Sequence, residues 1–386
     1  MSSHHDRPAD PRRRRFMAAS AKASFAASAA GALASSLVAP LIPAAALSLS
    51  STAQAATTSA PTNADLKGLT LTVGQQGSDT QFGFLASGIF DDAPYQIRYA
   101  TFQSPSATLT ALASGNVDIA NNLSQWTLTQ GAAAASPPWT FRTAPYRTVL
   151  VTGPDPSAAL DRFVVAASKA SGIKDIRQAK GKRWGLIPGS SLNLFAYVVL
   201  QKLGWSVHDV QIVNLDSTNQ ALALETGQVD IIFNVTDNVA GAVQHGATVL
   251  GFARDFGLTV YTGFQANSRA IDDPLKGRAI EDFVRRLVLY QNWLVLHPHE
   301  QQTALINGLH LSPAQAAEVY RYTRLVPIAP GQIAAYSQQL TDFAVQAGLI
   351  RQRVEAAALL DNRYAKVIEA TLHETHFFAN LKASYA

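Results

Sequence analysis

A chain of 386 residues has room for two domains of ordinary size, and 47% apolar against 15% charged residues describes a globular protein with large cores, not a disordered one. The absence of cysteine excludes disulfides, thiolate metal sites, a thiol nucleophile and a lipid-bearing cysteine. Of 31 basic residues six lie in the leader (Arg7, Arg12 to Arg15, Lys22), as do two of 27 acidic ones (Asp6, Asp10), so the rest balances at 25 each and the inference from a basic chain to nucleic acid fails.

The leader opens "DPRRRRFMAASAKASF", runs through a weakly apolar Ala/Ser-rich stretch and reaches Ala53-Gln54-Ala55, a small-residue cleavage site, so residues 1–55 read as an export signal. Arg13-Arg14-Arg15-Phe16-Met17 has the form of a twin-arginine core, although Arg12 stands where Ser or Thr is usual, and general secretion is the alternative. Lys22, the serines and two prolines make the segment too polar for a retained membrane anchor. Residues 56–65 read as a linker.

Alternating Leu69, Leu71 and Val73 predict a first strand running into Gly77-Ser78. "TQFGFLASGIF" predicts a helix, "YQIRYATF" a strand, and "SATLTALAS" a helix from a Ser cap to Gly115, which feeds the strand "VDIA". After "PYRTVLV" and "RFVVAAS", the strand "RWGLI" leads into Gly189-Ser190. The helix that follows is the clearest in the chain: Leu192, Phe195, Val199 and Leu203 share one face, Ser190 is its N-cap, and Lys202 and Gly204 close it. "VQIVNL", "STNQALALET", "VDIIFN" and "ATVLGF" complete this unit. From about Gly257 the pattern becomes mainly helical.

The run "ALASGNVDIANN" at 111–122 returns as "ALETGQVDIIFN" at 223–234, and at the same offset of 112 Gly77-Ser78 maps onto Gly189-Ser190. A period that long is no solenoid repeat, so it predicts two similar α/β lobes. Strands alternating with helices imply mostly parallel sheets, whose ligands bind at the carboxyl ends of the strands, where both Gly-Ser turns and the closing Asn122 and Asn234 lie. "PGSSLNL" points to an anion: a helix N-terminus offers unpaired N–H groups and partial positive charge, and Gly189 with small serines lets an oxyanion come close.

At "LTVGQQGS", "FQSPSATLTALASGNVDIANN", the block from "IKDIRQAKGKRWGLIPGSSLNLF" to "VNL", and "ALETGQVDIIFN", the chain resembles the periplasmic binding proteins of ABC importers, in the subgroup for aliphatic sulfonates, taurine and nitrate. The resemblance covers residues 66–350. It implies an α/β, two-lobed clamshell of type II with two mostly parallel sheets flanked by helices and two hinge crossings. Lobe one would be 66–163 plus 257–386, and lobe two 164–256. It further implies a periplasmic monomer that captures an alkyl or aryl sulfonate and hands it to a permease and ATPase complex, with no cofactor, metal or catalysis. By the family pattern Ser190, Ser191 and Asn193 donate to the sulfonate, while Gln76, Ser78, Ser104, Asn122 and Ser124 approach from lobe one.

After the second strand repeat the family commonly carries an aromatic-Asp-Pro cluster, whereas "FNVTDNVAGA" offers Asn234, Thr236, Asp237 and Asn238, a more polar wall. There Asp237 would receive an amine, as in taurine, or stand as a solvated loop acid. Phe82, Phe84 and Trp126 are candidates for an apolar subsite or for core. Nitrate, a sulfate ester or a pyrimidine precursor are the alternative ligands, and a receptor the alternative partner. Sulfinate desulfinases and pyrimidine synthases are similar in architecture but work through cysteine, which this chain lacks. "HPH" at His297 and His299 and "HETH" at His373 and His376 have no nearby third ligand and read as solvated surface.

Overall fold

The structure is a computed structural model and describes residues 63–76, 79–154, 162–321 and 323–384, so the expectations for the leader, Gly77 and Ser78 lie outside the described residues. The chain runs through β1 (Thr70–Gln75), α1 (Asp79–Ser87), β2 (Gln96–Thr101), α2 (Pro105–Ser114), β3 (Ile119–Asn121), α3 (Gln125–Ala133) and β4 (Tyr146–Gly153). Then come β5 (Phe163–Ala167), β6 (Arg183–Leu186), α4 (Ser191–Lys202), β7 (Gln211–Asn214), α5 (Ser217–Glu225), β8 (Ile231–Val235), α6 (Thr236–Gln244) and β9 (Thr248–Phe252). The last part holds β10 (Thr262–Asn267), α7 (Ser268–Asp272), α8 (Pro274–Leu296), α9 (Pro298–Leu309), α10 (Pro313–Arg321), β11 (Val326–Ile328), α11 (Ala334–Gln346), α12 (Ala365–Glu374) and α13 (Phe377–Ala383).

Two mixed sheets result, ordered β11-β4-β10-β3-β1-β2 and β7-β6-β8-β5-β9. In the first, β1 pairs parallel with β2 and β3, while β10 pairs antiparallel with β3 and β4, and β11 antiparallel with β4. In the second, β6 pairs parallel with β7 and β8, and β5 is antiparallel to β8 and β9. Thus β2-β1-β3-β10-β4 and β7-β6-β8-β5-β9 are the same arrangement, and the chain passes between the sheets twice, after β4 and after β9. An offset of 112 carries β1, α1, β2, α2, β3 and α3 onto β6, α4, β7, α5, β8 and α6 to within a few residues.

The repeated Val-Asp has a structural reason. Asp118, ahead of β3, accepts the Thr72 N–H of β1 at 2.9 Å, and Asp230, ahead of β8, accepts the Arg183 N–H of β6 at 2.9 Å. Each carboxylate ties a strand to its parallel neighbour. The Arg183 guanidinium also grips Asp230 through Nε at 3.1 Å and Nη2 at 2.8 Å and holds its carboxyl below the usual carboxylate range. A depressed folded-state value stabilises above the unfolded pKa and is lost as pH falls through the folded one.

The helix caps are local. Ser190 Oγ accepts the Asn193 N–H of α4 and Ser104 Oγ the Ala107 N–H of α2, both at 3.2 Å, and α2 ends at Gly115 in the left-handed region (φ 82°). Leu192, Phe195 and Val199 of α4 are buried as their spacing predicts, while Leu203 is the C-cap and only half-buried.

After Gly257 the chain is mainly helical as expected, but it also forms β10 and β11, strands of the first sheet that this expectation missed. β10 lies between β3 and β4 with polar residues buried. Gln265 donates to the Leu123 carbonyl at 3.2 Å and Asn267 to the Leu112 carbonyl at 2.7 Å, so no apolar alternation marks it. Among the described residues no helix is long and apolar enough to cross a membrane.

Candidate ligand-binding site

The carboxyl edges of the parallel strands of both sheets face a cavity of about 880 Å³, within the range of small-molecule sites. Four helix N-termini supply part of its wall: Ser104 to Ser106 at α2, Ser124 and Thr127 at α3, Ser190 to Leu192 at α4, and Asp216 at α5. Each N-terminus presents unpaired N–H groups and partial positive charge.

Hydrogen-bond bookkeeping separates the serines, since a hydroxyl has one hydrogen to give. Ser190 Oγ gives it to the Ile187 carbonyl at 2.7 Å and so acts as cap and turn brace. Thr127 Oγ1 gives its hydrogen to the Gly189 carbonyl at 2.9 Å, which makes Ser124 the donor in the 3.0 Å Ser124–Thr127 contact. This chain of hydroxyls joins α3 to the turn behind β6, across the two sheets. Ser104 Oγ only accepts, from Ala107 N–H, and the Ser191 hydroxyl lines the cavity with no described partner, so these two keep a hydrogen for a ligand.

Of the other residues singled out in the sequence, Gln76 and Asn122 line the cavity. Asn122 sits just past β3 in the left-handed region (φ 63°), which Asn tolerates, with its N–H on the Gly263 carbonyl at 2.8 Å. Gly189 forms the turn ahead of α4 at φ 76°; a Cβ there would stand 2.9 Å from Ser106 Oγ. Asn193 and Asn234 do not line the cavity. Asn193 is buried on α4, its N–H on the Ser190 cap.

Asn234 is fully buried: its Nδ2 donates to Gln220 Oε1 at 2.6 Å, and Gln220 Nε2 donates to the Gly185 carbonyl at 2.7 Å, an amide ladder through β8, α5 and β6. β8 extends one residue beyond Asn234, whereas β3 stops before Asn122, so the two closing asparagines of the repeat part company. Asp237 lies in the first turn of α6, not in a loop, and its side chain is outside the described residues, as is Ser78.

Of the aromatic candidates Phe84 and Trp126 belong to the core and Phe82 is half-buried, and none of them lines the cavity. Phe84 stacks on Phe90 at 4.3 Å and meets Tyr290 edge-on at 4.8 Å, Trp126 is 1% exposed, and Phe82 packs on Gly308 of α9. The apolar wall is instead Phe163, Ile187, Leu192, Leu258, Val260 and Leu325. Tyr336 on α11 donates to the Thr259 carbonyl and lies edge-on to Tyr261 at 4.9 Å, holding the returning crossing segment against the first sheet; burial pushes its phenol pKa well up.

Four arginines that no motif marks also line the cavity: Arg162, Arg254, Arg321 and Arg324, against Asp216 as the one described acid. Arg162 stands where the chain enters the second sheet at β5 and Arg254 just after β9 completes it, and the other two lie in "RYTRL" ahead of β11. Asp216 is engaged as the α5 cap, accepting Asn219 N–H at 2.8 Å and its side-chain amide at 2.9 Å.

Comparison with solved structures decides the fold. The periplasmic aliphatic sulphonate binding protein SsuA from Escherichia coli aligns with 76% of this chain and 92% of its own, at 19% identity and a TM-score of 0.63. The alkanesulfonate-binding protein SsuA from Xanthomonas axonopodis pv. citri, bound to MOPS, aligns with 76% of this chain and 99% of its own, at 20% identity and a TM-score of 0.65. The fold is that of the periplasmic binding proteins.

Within this binding-protein fold, residues 161–266 match the family described as NMT1/THI5 like. That stretch holds the whole second sheet and most of the return through β10. The desulfurization enzyme DSZB shares the fold at 14% identity and a TM-score of 0.57, covering 79% of this chain and 99% of its own. No curated protein matches the chain.

Proposed function

We propose that this protein is the substrate-binding component of an ABC importer, which captures a small organosulfonate in the periplasm and delivers it to a permease and ATPase complex. The observation that carries the reading is the convergence of four helix N-termini, three of them capped by serine, on one cavity between two sheets. Such ends hold an oxyanion through backbone N–H groups, and a sulfonate offers three oxygens to be shared among them. In this reading Ser191 and Ser104, which keep a hydroxyl hydrogen, donate to the head group. Ser104, Gln76 and Asn122 approach from the first sheet, opposite Ser191. The lobes 66–163 plus 257–386 and 164–256 close on the ligand about the two crossings. Nothing is chemically changed, and the absence of cysteine supports binding over desulfinase chemistry.

The test is a thermal-shift screen of the mature protein across alkanesulfonates, aryl sulfonates, taurine, sulfate esters, nitrate and pyrimidines. A ligand at 100 times its Kd stabilises by about 2.7 kcal/mol, which raises Tm by several degrees. A shift with a pyrimidine and none with any sulfonate rejects the ligand class. A sulfinate consumed on long incubation rejects the binding-only role.

Delivery to the periplasm rests on the leader, with Arg13-Arg14 as the twin-arginine pair and cleavage after Ala55. Replacing Arg13 and Arg14 with Lys is expected to strand precursor in the cytoplasm, read by fractionation and immunoblot. Unimpaired export of that variant assigns the leader to general secretion.

A further inference from the structure

The cavity is not evenly lined. In both sheets the strands that enter antiparallel begin at the cavity edge: β5 starts beside the end of β8, with Phe163 paired to Val235, and β11 starts beside the end of β4, with Val326 paired to Gly153. The residues just ahead of those strands are therefore delivered to the cavity rim, and they are Arg162 and Arg324. The serine, asparagine and glutamine positions follow β1, β2, β3 and β6 instead.

Strand order converts this into a separation. With neighbouring strands ~4.8 Å apart, the start of β5 lies about 10 Å from the end of β6, two steps away, and the start of β11 about 19 Å from the end of β1, four steps away. On the strands between these ends, Val235 and the Thr152–Thr262 hydroxyl pair, bonded at 3.0 Å, line the cavity.

The arginine end is also assembled from both sheets. The Arg162 carbonyl accepts the N–H of Thr236, first residue of α6, at 2.9 Å. α10, which ends in Arg321, packs on that same α6 from the first sheet's side. Arg321 holds Glu318 at 3.0 Å, and Arg324 donates to Ser384 at 3.2 Å and lies over the Tyr320 ring, contacts that fix where these guanidiniums stand.

We infer that the ligand carries two anionic groups: a sulfonate at the helix N-termini and, at the end of an apolar chain or ring spanning roughly 10 Å, a carboxylate or second sulfonate at Arg162 and Arg324. Guanidinium groups match both as planar, two-pronged donors. This rests on the sulfonate reading of the same cavity and adds the class of the distal group.

Calorimetry with octanedisulfonate, octanesulfonate and ω-aminooctanesulfonate tests it. Wild-type protein is expected to bind the disulfonate at least about 10-fold more tightly than the monosulfonate, and the amine most weakly. In Arg162→Gln/Arg324→Gln that advantage disappears. Arg162→Lys/Arg324→Lys, which keeps both charges, retains most of it, and Arg285→Gln on the outer surface leaves it whole. A monosulfonate or amine that equals or beats the disulfonate on wild type overturns the inference and leaves the sulfonate site standing, as does an advantage that persists without the two arginines. Failure of all three ligands overturns the functional reading and the inference with it.

Discussion

Gly189→Val is expected to abolish measurable sulfonate binding while leaving a folded protein. Gly189 holds the turn ahead of α4 at φ 76°, a conformation a β-branched residue adopts only at a cost of about 1–3 kcal/mol. A Cβ would also stand 2.9 Å from Ser106 Oγ on α2, so with the strained φ the turn is expected to shift unless Ser106 turns aside. That shift moves the N–H groups of α4 and the Gly189 carbonyl, which accepts the Thr127 hydroxyl that joins the two sheets. Ser191→Ala is the mild companion: it removes one charge-assisted hydrogen bond, worth about 1.5–3 kcal/mol of affinity, and touches no cap. Calorimetry reads both, and unliganded Tm separates lost binding from lost folding. If both variants bind like wild type, the anion is not held at α4.

Arg147→Ala is expected to cost about 3–5 kcal/mol of stability, a fall in Tm of roughly 10 °C. Arg147 lies near the start of β4, its side chain 3% exposed, and reaches Asp361 (side chain 2% exposed) at 3.1 Å and Asp272 at 3.0 Å, with its Nε on Ser268 Oγ at 3.1 Å. The Asp361 Oδ2 contact is one of charges and not an aligned hydrogen bond, which leaves that oxygen dependent on the guanidinium. Truncation strands a buried carboxylate held by Arg363 at Oδ1 alone, through its backbone N–H at 3.1 Å and its Nε at 3.0 Å. It also unties β4 from α7 and from the segment that returns beside it. The exposed pair Arg285–Glu374 supplies the contrast: Arg285→Ala is expected to change stability by about 0.5 kcal/mol or less, because solvent screens it. Equal effects in urea titrations of the two variants would reject the assignment of Arg147 as a buried electrostatic tie.

Much of the binding-protein fold is legible in the sequence because its signals are short-range. The N-caps Ser104 and Ser190, the left-handed stop at Gly115 and the apolar face of α4 each depend on atoms a few residues away. The Val-Asp repeat needs one further step, since each aspartate bridges two strands of a unit that is itself repeated. β10 escaped for the same physical reason in reverse: a strand flanked on both sides by partners buries Gln265 and Asn267 through distant carbonyls, so its polarity misleads.

The sequence by itself determined two similar α/β units, most of their strands and helices, and the Gly189-Ser190 turn that caps α4, because helix caps, strand periodicity and repeats are properties of the local chain. Only the tertiary structure decided which repeated asparagine faces the cavity and which is locked in an amide ladder, and that Phe84 and Trp126 are core. It also brought together Arg162, Arg254, Arg321 and Arg324, which lie as much as 162 positions apart in the chain. For Arg162 and Arg324 that placement depends on antiparallel strands entering each sheet from the cavity edge, a long-range pairing that no local pattern of residues encodes.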